Sequence, residues 1–165
     1  MANVTVITDS VATLPPRLAE EIGIVVVPER LTLGENAYYD GDLDLEEVVA
    51  RIDEGFTTSG PSPGDFLQVL TEQAGKAGAL IVTVSRELAS STFESAHTAA
   101  RLHASPVEVF DSRTAAGAQG LVVAGAAAVA ARGEPLKTVV EDARYIAERV
   151  RLVARLDDLS WLARG

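Results

Sequence analysis

Short runs of β-branched and other apolar residues alternate along the chain with longer segments whose apolar positions recur every three or four residues. The short runs predict β-strands at residues 4–7, 24–27, 79–84 and 107–110. The longer segments predict helices at residues 15–22, 45–54, 63–75 and 92–102, then an Ala-rich helix that ends at Gly133 and a last helix from Pro135. Strands that alternate with helices form parallel sheets through right-handed crossovers. The pattern therefore predicts an α/β fold with a mostly parallel sheet flanked by helices.

Two stretches depart from this alternation. Residues 31–39 carry a Gly-Glu-Asn turn between two apolar arms, which predicts a hairpin or an edge ribbon. Near the chain end, residues 152–154 predict a last short strand, and a helical turn is expected to begin at residues 157–158.

The segment 114–131 contains eighteen residues without a charge, a length at which a membrane span has to be considered. Alanine, glycine and valine dominate it, and they supply little transfer free energy compared with leucine, isoleucine or phenylalanine. We therefore expect a helix buried on most sides, whose small residues allow close packing, and no stable insertion into a membrane.

Two polar segments place hydroxyl groups where helices are predicted to begin. Ser62 precedes a proline and lies three residues before Asp65, the pattern of a helix N-cap. Ser91 with Glu94 predicts a capping box for the helix at 92–102. Helix N-termini carry unpaired N–H groups and partial positive charge, so nearby hydroxyls could hold an anion without lysine or arginine. The alternative is that Ser62 only caps its helix and that residues 57–59 only solvate a loop.

Polar residues also follow two of the predicted strands. Asp9 and Ser10 come after the first strand, and Asp111 and Ser112 come after the fourth. Ligands of open α/β sheets bind at the carboxyl ends of the strands, so these residues are candidates for the same site. Asp9 is expected to hold backbone N–H groups in its turn.

Composition excludes several classes of function. The chain has 165 residues, is 47% apolar and carries a net charge of −10, which disfavours binding to nucleic acid and to anionic lipid surfaces. It has no cysteine, and its two histidines, His97 and His103, match no common metal-ligand spacing. There is no glycine-rich turn after the first strand and no phosphate-cradling loop. No secretory signal pattern opens the chain, so a cytoplasmic protein is expected.

These exclusions leave hydroxyl donors, helix N-termini and apolar walls, with no evident nucleophile or base. Such a combination suits a carboxylate attached to an apolar body. Two alternatives stay open. The chain could be an α/β enzyme in which Asp9 and the hydroxyl segments bind a phosphorylated or polar substrate, or a regulatory domain that binds a protein through an exposed apolar face.

Several motifs occur in an order that resembles the DegV family of bacterial fatty-acid-binding proteins. Thr8-Asp9-Ser10 follows the first strand, and residues 58–62 stand where the family has Thr-Ser-Gln-Pro-Ser. Residues 88–96 stand where it has Leu-Ser-Gly-Thr-Tyr-x-Ser-Ala, and Asp111-Ser112 and Asp157-Asp158-Leu159 add two further points. The resemblance runs over the whole chain.

The chain departs from the family pattern at both hydroxyl segments. Gly60 replaces the family's glutamine, and residues 88–93 are one residue longer than the corresponding motif. Counting back from Phe93 places Ser90 at the family's ligand serine, whereas counting forward from Leu88 places Ala89 there. We take Ser90 as the ligand serine and keep Ser91 as the alternative.

The resemblance implies a non-enzymatic carrier that buries a long-chain fatty acid and needs no metal or other cofactor. Thr58 and Ser90, with Ser59 and Ser91 beside them, would hold the carboxylate, and the supporting loop residues would be Asp9, Ser10, Ser62, Asp111 and Ser112. The carrier would present the carboxylate to a separate ATP-dependent fatty acid kinase. Family members are longer and continue into a second α/β domain, so we expect residues 1–150 to form the first domain and residues 151–165 to begin the second, in a chain that stops early.

Overall fold

The computed structural model describes residues 3–155, in which strands and helices alternate as expected. The seven strands are β1 (Thr5–Asp9), β2 (Ile24–Val27), β3 (Arg30–Leu33), β4 (Asn36–Tyr39), β5 (Phe56–Ser59), β6 (Ala79–Thr83) and β7 (Val107–Asp111). The α-helices are α1 (Pro16–Glu21), α2 (Leu45–Arg51), α3 (Pro63–Gln73), α4 (Ser90–Leu102), α5 (Ala116–Ala131) and α6 (Leu136–Ala147). Two 3-10 turns, Ser10–Ala12 and Ile52–Glu54, follow β1 and α2.

The main sheet has four parallel strands in the order β2-β1-β6-β7. Ile7 of β1 lies between Val25 of β2 and Ile81 of β6. All five residues of β6 are buried, as its continuous hydrophobic sequence predicts for a strand covered on both faces. The predicted α/β fold with a parallel sheet flanked by helices is confirmed.

Helices cover both faces of this sheet, because successive side chains of a strand point to opposite sides. Val6 and Leu80 face a cluster formed with α5 and α6, whereas Ile7 and Ile81 face a cluster formed with α3 and α4. Phe66 of α3 is fully buried in the second cluster. Its replacement by alanine would be expected to cost about 3–5 kcal/mol.

The Ala-rich segment forms helix α5, and the predicted burial is confirmed. Nine of its sixteen residues are buried, and a side chain on Gly125 would overlap Ile146 of α6. Small residues therefore let two helices pack closely. Within residues 3–155, no helix is both long enough and apolar enough to cross a membrane.

A second, antiparallel sheet has the strand order β4-β3-β5. The β3–β4 hairpin was expected, but the interpretation of residues 57–59 as a loop was wrong. These residues belong to strand β5, in which Thr58 lies opposite Leu31 of β3. The free edge of β3 provides backbone partners for this segment, and its phenylalanine and two threonines have high strand propensity.

The end of one predicted helix and one predicted strand also differ from the structure. Helix α2 ends at Arg51, where the carboxylate of Glu54 accepts hydrogen bonds from the arginine, and the chain continues as a 3-10 turn. Residues 152–154 form no strand, since they follow α6 on the surface and pair with no sheet edge. The turn expected at residues 157–158 lies outside the described residues.

Candidate functional site

Asp9 and Gln119 anchor the carboxyl edge of the main sheet. Asp9 is fully buried and accepts hydrogen bonds from the backbone N–H of Val84 at 2.7 Å and from Gln119 Nε2 at 2.9 Å. Gln119 Nε2 also donates to Thr8 Oγ1 at 3.0 Å. Burial raises the pKa of Asp9, and these hydrogen bonds oppose the increase. Asp9 thus ties β1 to β6 and α5, consistent with a supporting role.

The sequence reasoning missed Gln119 as a site residue. Its one signal was a lone amide in an otherwise apolar helical segment. A fully buried amide needs hydrogen-bond partners, which its Nε2 finds in Thr8 and Asp9, while its Oε1 has none among the described residues.

Ser10 and Glu29 join the ends of β1 and β2. The hydroxyl of Ser10 accepts a hydrogen bond from the backbone N–H of Glu29 at 3.0 Å. The Glu29 side chain is buried, with 8% of the residue exposed. Sequence reasoning missed this acid, although its position just beyond a buried strand was a usable signal.

Glu29 has an unusual electrostatic environment. Burial, together with the negative charges of Asp9 and Asp40, raises the pKa of Glu29 from 4.5 to about 7. The nearby Thr92 hydroxyl opposes this increase, yet neither Glu29 Oε1 nor Thr92 Oγ1 makes a hydrogen bond of good geometry within residues 3–155. The structure thus places a carboxyl that can be neutral near pH 7 at the edge of the sheet.

Asp111 and Ser112 support the loops at the end of β7. Asp111 Oδ1 accepts hydrogen bonds from the backbone N–H groups of Arg86 at 3.2 Å and Arg113 at 2.9 Å. Ser112 is buried and donates to the carbonyl oxygen of Thr114 at 3.1 Å. Both side chains therefore hold backbone groups in place.

Ser62 begins helix α3 with the predicted cap. Its Oγ accepts a hydrogen bond from the Asp65 N–H at 3.2 Å, and an Asp65 carboxylate oxygen accepts one from the Ser62 N–H at 2.7 Å. Arg30 lies opposite Ser59 in the antiparallel sheet and forms an ion pair with Asp65 at 2.9 Å. Partial burial acts to raise the pKa of Asp65, but hydrogen bonds from Ser62 and Arg30 hold it below its usual value. Arg30, which adjoins this segment in the sheet, is thus already paired.

The capping box predicted at Ser91 is wrong. Helix α4 begins at Ser90, with Ala89 at the N-cap and no side-chain capping hydrogen bond. Arg86 binds the Glu94 carboxylate at 2.6 Å and so draws it away from the helix start. Ser90 instead lines an open cleft of about 510 Å³ beside Ser85, Arg86 and Arg113.

The two hydroxyl-bearing segments meet through Gly60 and Thr92. A Cβ on Gly60 would overlap the Thr92 hydroxyl and lie 3.2 Å from Thr92 Cα, so the segment after β5 lies directly against the first turn of α4. Only glycine allows this approach. Thr58 and Ser90 are each two residues from this contact.

Four hydroxyl groups within two residues of this contact have no partner among the residues that the structure describes. They are exposed and make no hydrogen bond to any described residue, and they belong to Thr58, Ser59, Ser90 and Ser91. The candidate supporting residues differ, because Asp9, Ser10, Ser62, Asp111 and Ser112 all bond to the protein. The contact and the free hydroxyls define the candidate site.

An adjoining cavity of about 640 Å³ extends from Ser85 and Thr114 towards the end of α6. Its wall includes Leu88, of which 70% is exposed, and Leu152. This volume is in the range of small-molecule pockets. No group of three or more histidine or acidic side chains arranged to hold a metal occurs within the part of the chain that the structure describes.

Comparison with known proteins finds that this chain is similar to DegV proteins from several bacteria. The DegV domain-containing protein of Streptomyces coelicolor is 32% identical over 168 residues, which cover 99% of this chain and 59% of that protein. A fatty-acid-binding DegV family protein from Thermus thermophilus has a TM-score of 0.79 at 30% identity and covers 89% of this chain and 54% of its own. DegV from Bacillus subtilis, a fatty acid binding protein, has a TM-score of 0.87 at 25% identity over 100% of this chain and 61% of its own.

The chain spans about 60% of the length of the curated relatives it matches. A family model described as "Uncharacterised protein, DegV family" matches residues 3–165. Because this match spans nearly the whole sequence, the chain belongs to the DegV family.

Proposed function

We propose that this chain binds a long-chain fatty acid and holds its carboxylate through the hydroxyls of Thr58 and Ser90, with Ser59 and Ser91 beside them. The observation that carries the proposal is the Gly60–Thr92 contact, which brings these two segments together while their hydroxyls have no partner among residues 3–155. The fatty-acid-binding DegV proteins of Thermus thermophilus and Bacillus subtilis support the same ligand class.

The acyl chain would supply most of the affinity. Each methylene group removed from water contributes about 0.8 kcal/mol, so the tail drives binding to an apolar wall. The carboxylate head group mainly determines how the ligand is oriented. A hydrogen bond to a charged group is worth about 1.5–3 kcal/mol, whereas burial of a carboxylate without partners costs several kcal/mol. Hydroxyl donors therefore select a carboxylate without needing to bind it tightly.

The environment of Asp9 does not favour the alternative of an enzyme that uses this residue. Both carboxylate oxygens accept hydrogen bonds from the protein, and the side chain is fully buried. A general base needs an accessible oxygen within reach of the substrate proton. In our proposal the protein is a carrier, and a separate fatty acid kinase phosphorylates the bound ligand.

Substitution of the free hydroxyls tests the binding site. Thr58→Ala and Ser90→Ala should each weaken binding of a labelled fatty acid about tenfold or more, because each removes one hydrogen bond to a charged group. Thr57→Ala is the matched control, since Thr57 is a second exposed threonine of β5 that lies opposite Thr32 and is not one of the proposed ligand hydroxyls. A comparable loss in Ser91→Ala with none in Ser90→Ala would transfer the role to Ser91.

Lipid extraction and native mass spectrometry of the purified chain test the ligand class. A bound acyl chain, or saturable uptake of added fatty acid, is expected. Failure of the chain both to retain and to take up fatty acid would contradict the proposal. The carrier role is tested separately, by asking whether a fatty acid kinase forms acyl phosphate faster when its substrate is supplied on this protein.

A further inference from the structure

We propose that Glu29 is a proton-binding residue of the head-group site, so that binding of a fatty acid carboxylate is coupled to uptake of one proton by Glu29. This inference rests on the proposed function, because it concerns the same site and the same ligand class. It adds a residue that sets the charge of the site and makes the affinity depend on pH.

Glu29 lies where the two hydroxyl-bearing segments meet. Arg30 is opposite Ser59 in the antiparallel ladder, so the preceding residue, Glu29, adjoins Gly60 at the end of that ladder. Gly60 in turn contacts Thr92 in the first turn of α4. The Thr92 hydroxyl is close enough to the Glu29 carboxyl to influence its protonation. A ligand carboxylate held by the neighbouring hydroxyls would therefore lie near a second carboxyl group.

One oxygen of the Glu29 carboxyl lacks the hydrogen-bond partner that a buried carboxylate needs. Only 8% of the residue is exposed, and its Oε1 has no hydrogen-bond partner among residues 3–155. Thr92 is fully buried, and its hydroxyl also lacks one. Since burial penalises the charged form of an acid much more than its neutral form, these surroundings favour a protonated Glu29.

The charges around Glu29 act in the same direction. Asp9 at the end of β1 and Asp40 after β4 both disfavour its ionisation. Arg30, the adjacent cation, is paired with Asp65 at 2.9 Å. The other neighbouring segments, residues 59–61 and 90–92, contribute hydroxyl groups but no charge. Burial and the two acids raise the pKa of Glu29 to about 7.

A bound carboxylate adds another negative charge to this cluster and so strengthens proton binding by Glu29. The proton comes from water, the ligand enters as its carboxylate, and the Glu29 carboxylate becomes a carboxylic acid that can donate a hydrogen bond. Below neutral pH the residue is already neutral and binding needs no further proton. Above neutral pH the affinity should fall, approaching tenfold per pH unit.

Isothermal titration calorimetry with myristate tests this coupling. Titrations at about pH 8 in two buffers of different ionisation enthalpy give the number of protons taken up per ligand bound. The wild-type chain should take up close to one proton, Glu29→Gln should take up close to none, and Glu35→Gln, an exposed acid of the same hairpin, should match the wild type. Tetradecanol has the same chain length without the charge and should cause no uptake.

The outcomes separate the inference from the proposed function. Myristate binding with equal proton uptake in the wild type and Glu29→Gln would overturn the role of Glu29 and leave the proposed function standing. Absence of myristate binding by the wild type and both variants would overturn the proposed function, and the proton coupling with it. If Glu29→Gln does not fold, carbon-13 NMR of the wild type tests the coupling instead. The pH midpoint at which the Glu29 carboxyl titrates should rise when myristate is added. An unchanged midpoint would refute the coupling.

Discussion

Adding one methyl group at Gly60 should destabilise the protein, even though Gly60 lies outside both hydrophobic clusters. In Gly60→Ala, the new Cβ would overlap the Thr92 hydroxyl and lie 3.2 Å from Thr92 Cα. Rotation of the threonine side chain cannot relieve the second contact, because Cα belongs to the backbone of α4. Overpacking of this kind costs about 1–3 kcal/mol, whereas the reduced entropy of the unfolded chain returns about 0.4–1 kcal/mol. The steric cost should prevail, by about 1–2 kcal/mol.

Urea unfolding monitored by far-UV circular dichroism measures this difference. Gly64→Ala is the matched control, since a Cβ there would contact only Ser62 Oγ at 3.6 Å and alanine favours the helix. The control should be as stable as the wild type or more stable. Combining Gly60→Ala with Thr92→Ala should recover part of the loss, with a coupling energy of about 0.5 kcal/mol or more. If Gly60→Ala proved as stable as Gly64→Ala, the close contact between the two segments would be refuted.

Three further substitutions test the supporting residues, each measured by the same urea unfolding. Ser62→Ala removes the helix cap and should cost about 1 kcal/mol, and an unchanged midpoint would contradict the capping role. Gln119→Ala leaves buried Asp9 without one partner and should cost at least about 1–3 kcal/mol, clearly more than Gln68→Ala on an exposed helix face. Folded Glu29 keeps its proton up to about pH 7, whereas the unfolded chain loses it near 4.5, so wild-type stability should fall between these values. Glu29→Gln should show a smaller decline and be more stable at pH 8 by at most about 3 kcal/mol, and parallel pH profiles would contradict the assignment.

The sequence was sufficient for features that depend on local pattern. The β-branched runs located all four strands of the parallel sheet, and the spacing of Ser62 and Asp65 located a helix start with its cap. In each case the deciding interactions lie within a few residues of one another, or follow from continuous burial of a strand. These patterns can therefore be recognised in the sequence without knowledge of the tertiary structure.

Features that depend on distant partners could not be predicted. Strand β5 forms because the edge of β3 is free, and nothing within residues 56–59 shows that β3 lies beside them. At Glu94, the local capping pattern competes with Arg86, which takes the carboxylate into an ion pair across the loop. The protonation of Glu29 likewise depends on Asp9, twenty positions away, and on burial that no local pattern shows.

The hydrogen bonds also distinguish side chains that stabilise the loops from side chains that could bind a ligand. Residue types alone do not show this difference. Asp9 and Asp111 are candidate site residues in the sequence, but each accepts hydrogen bonds from backbone N–H groups and fixes the end of a strand. Thr58 and Ser90 resemble ordinary surface residues, yet each is two residues from the Gly60–Thr92 contact and has no described protein partner. A ligand that needs hydrogen-bond donors would find them in this second group, and Arg86 and Arg113 line the same cleft as Ser90. If these hydroxyls hold a fatty acid carboxylate near Glu29, the proton that Glu29 takes up offsets the negative charge that the ligand adds.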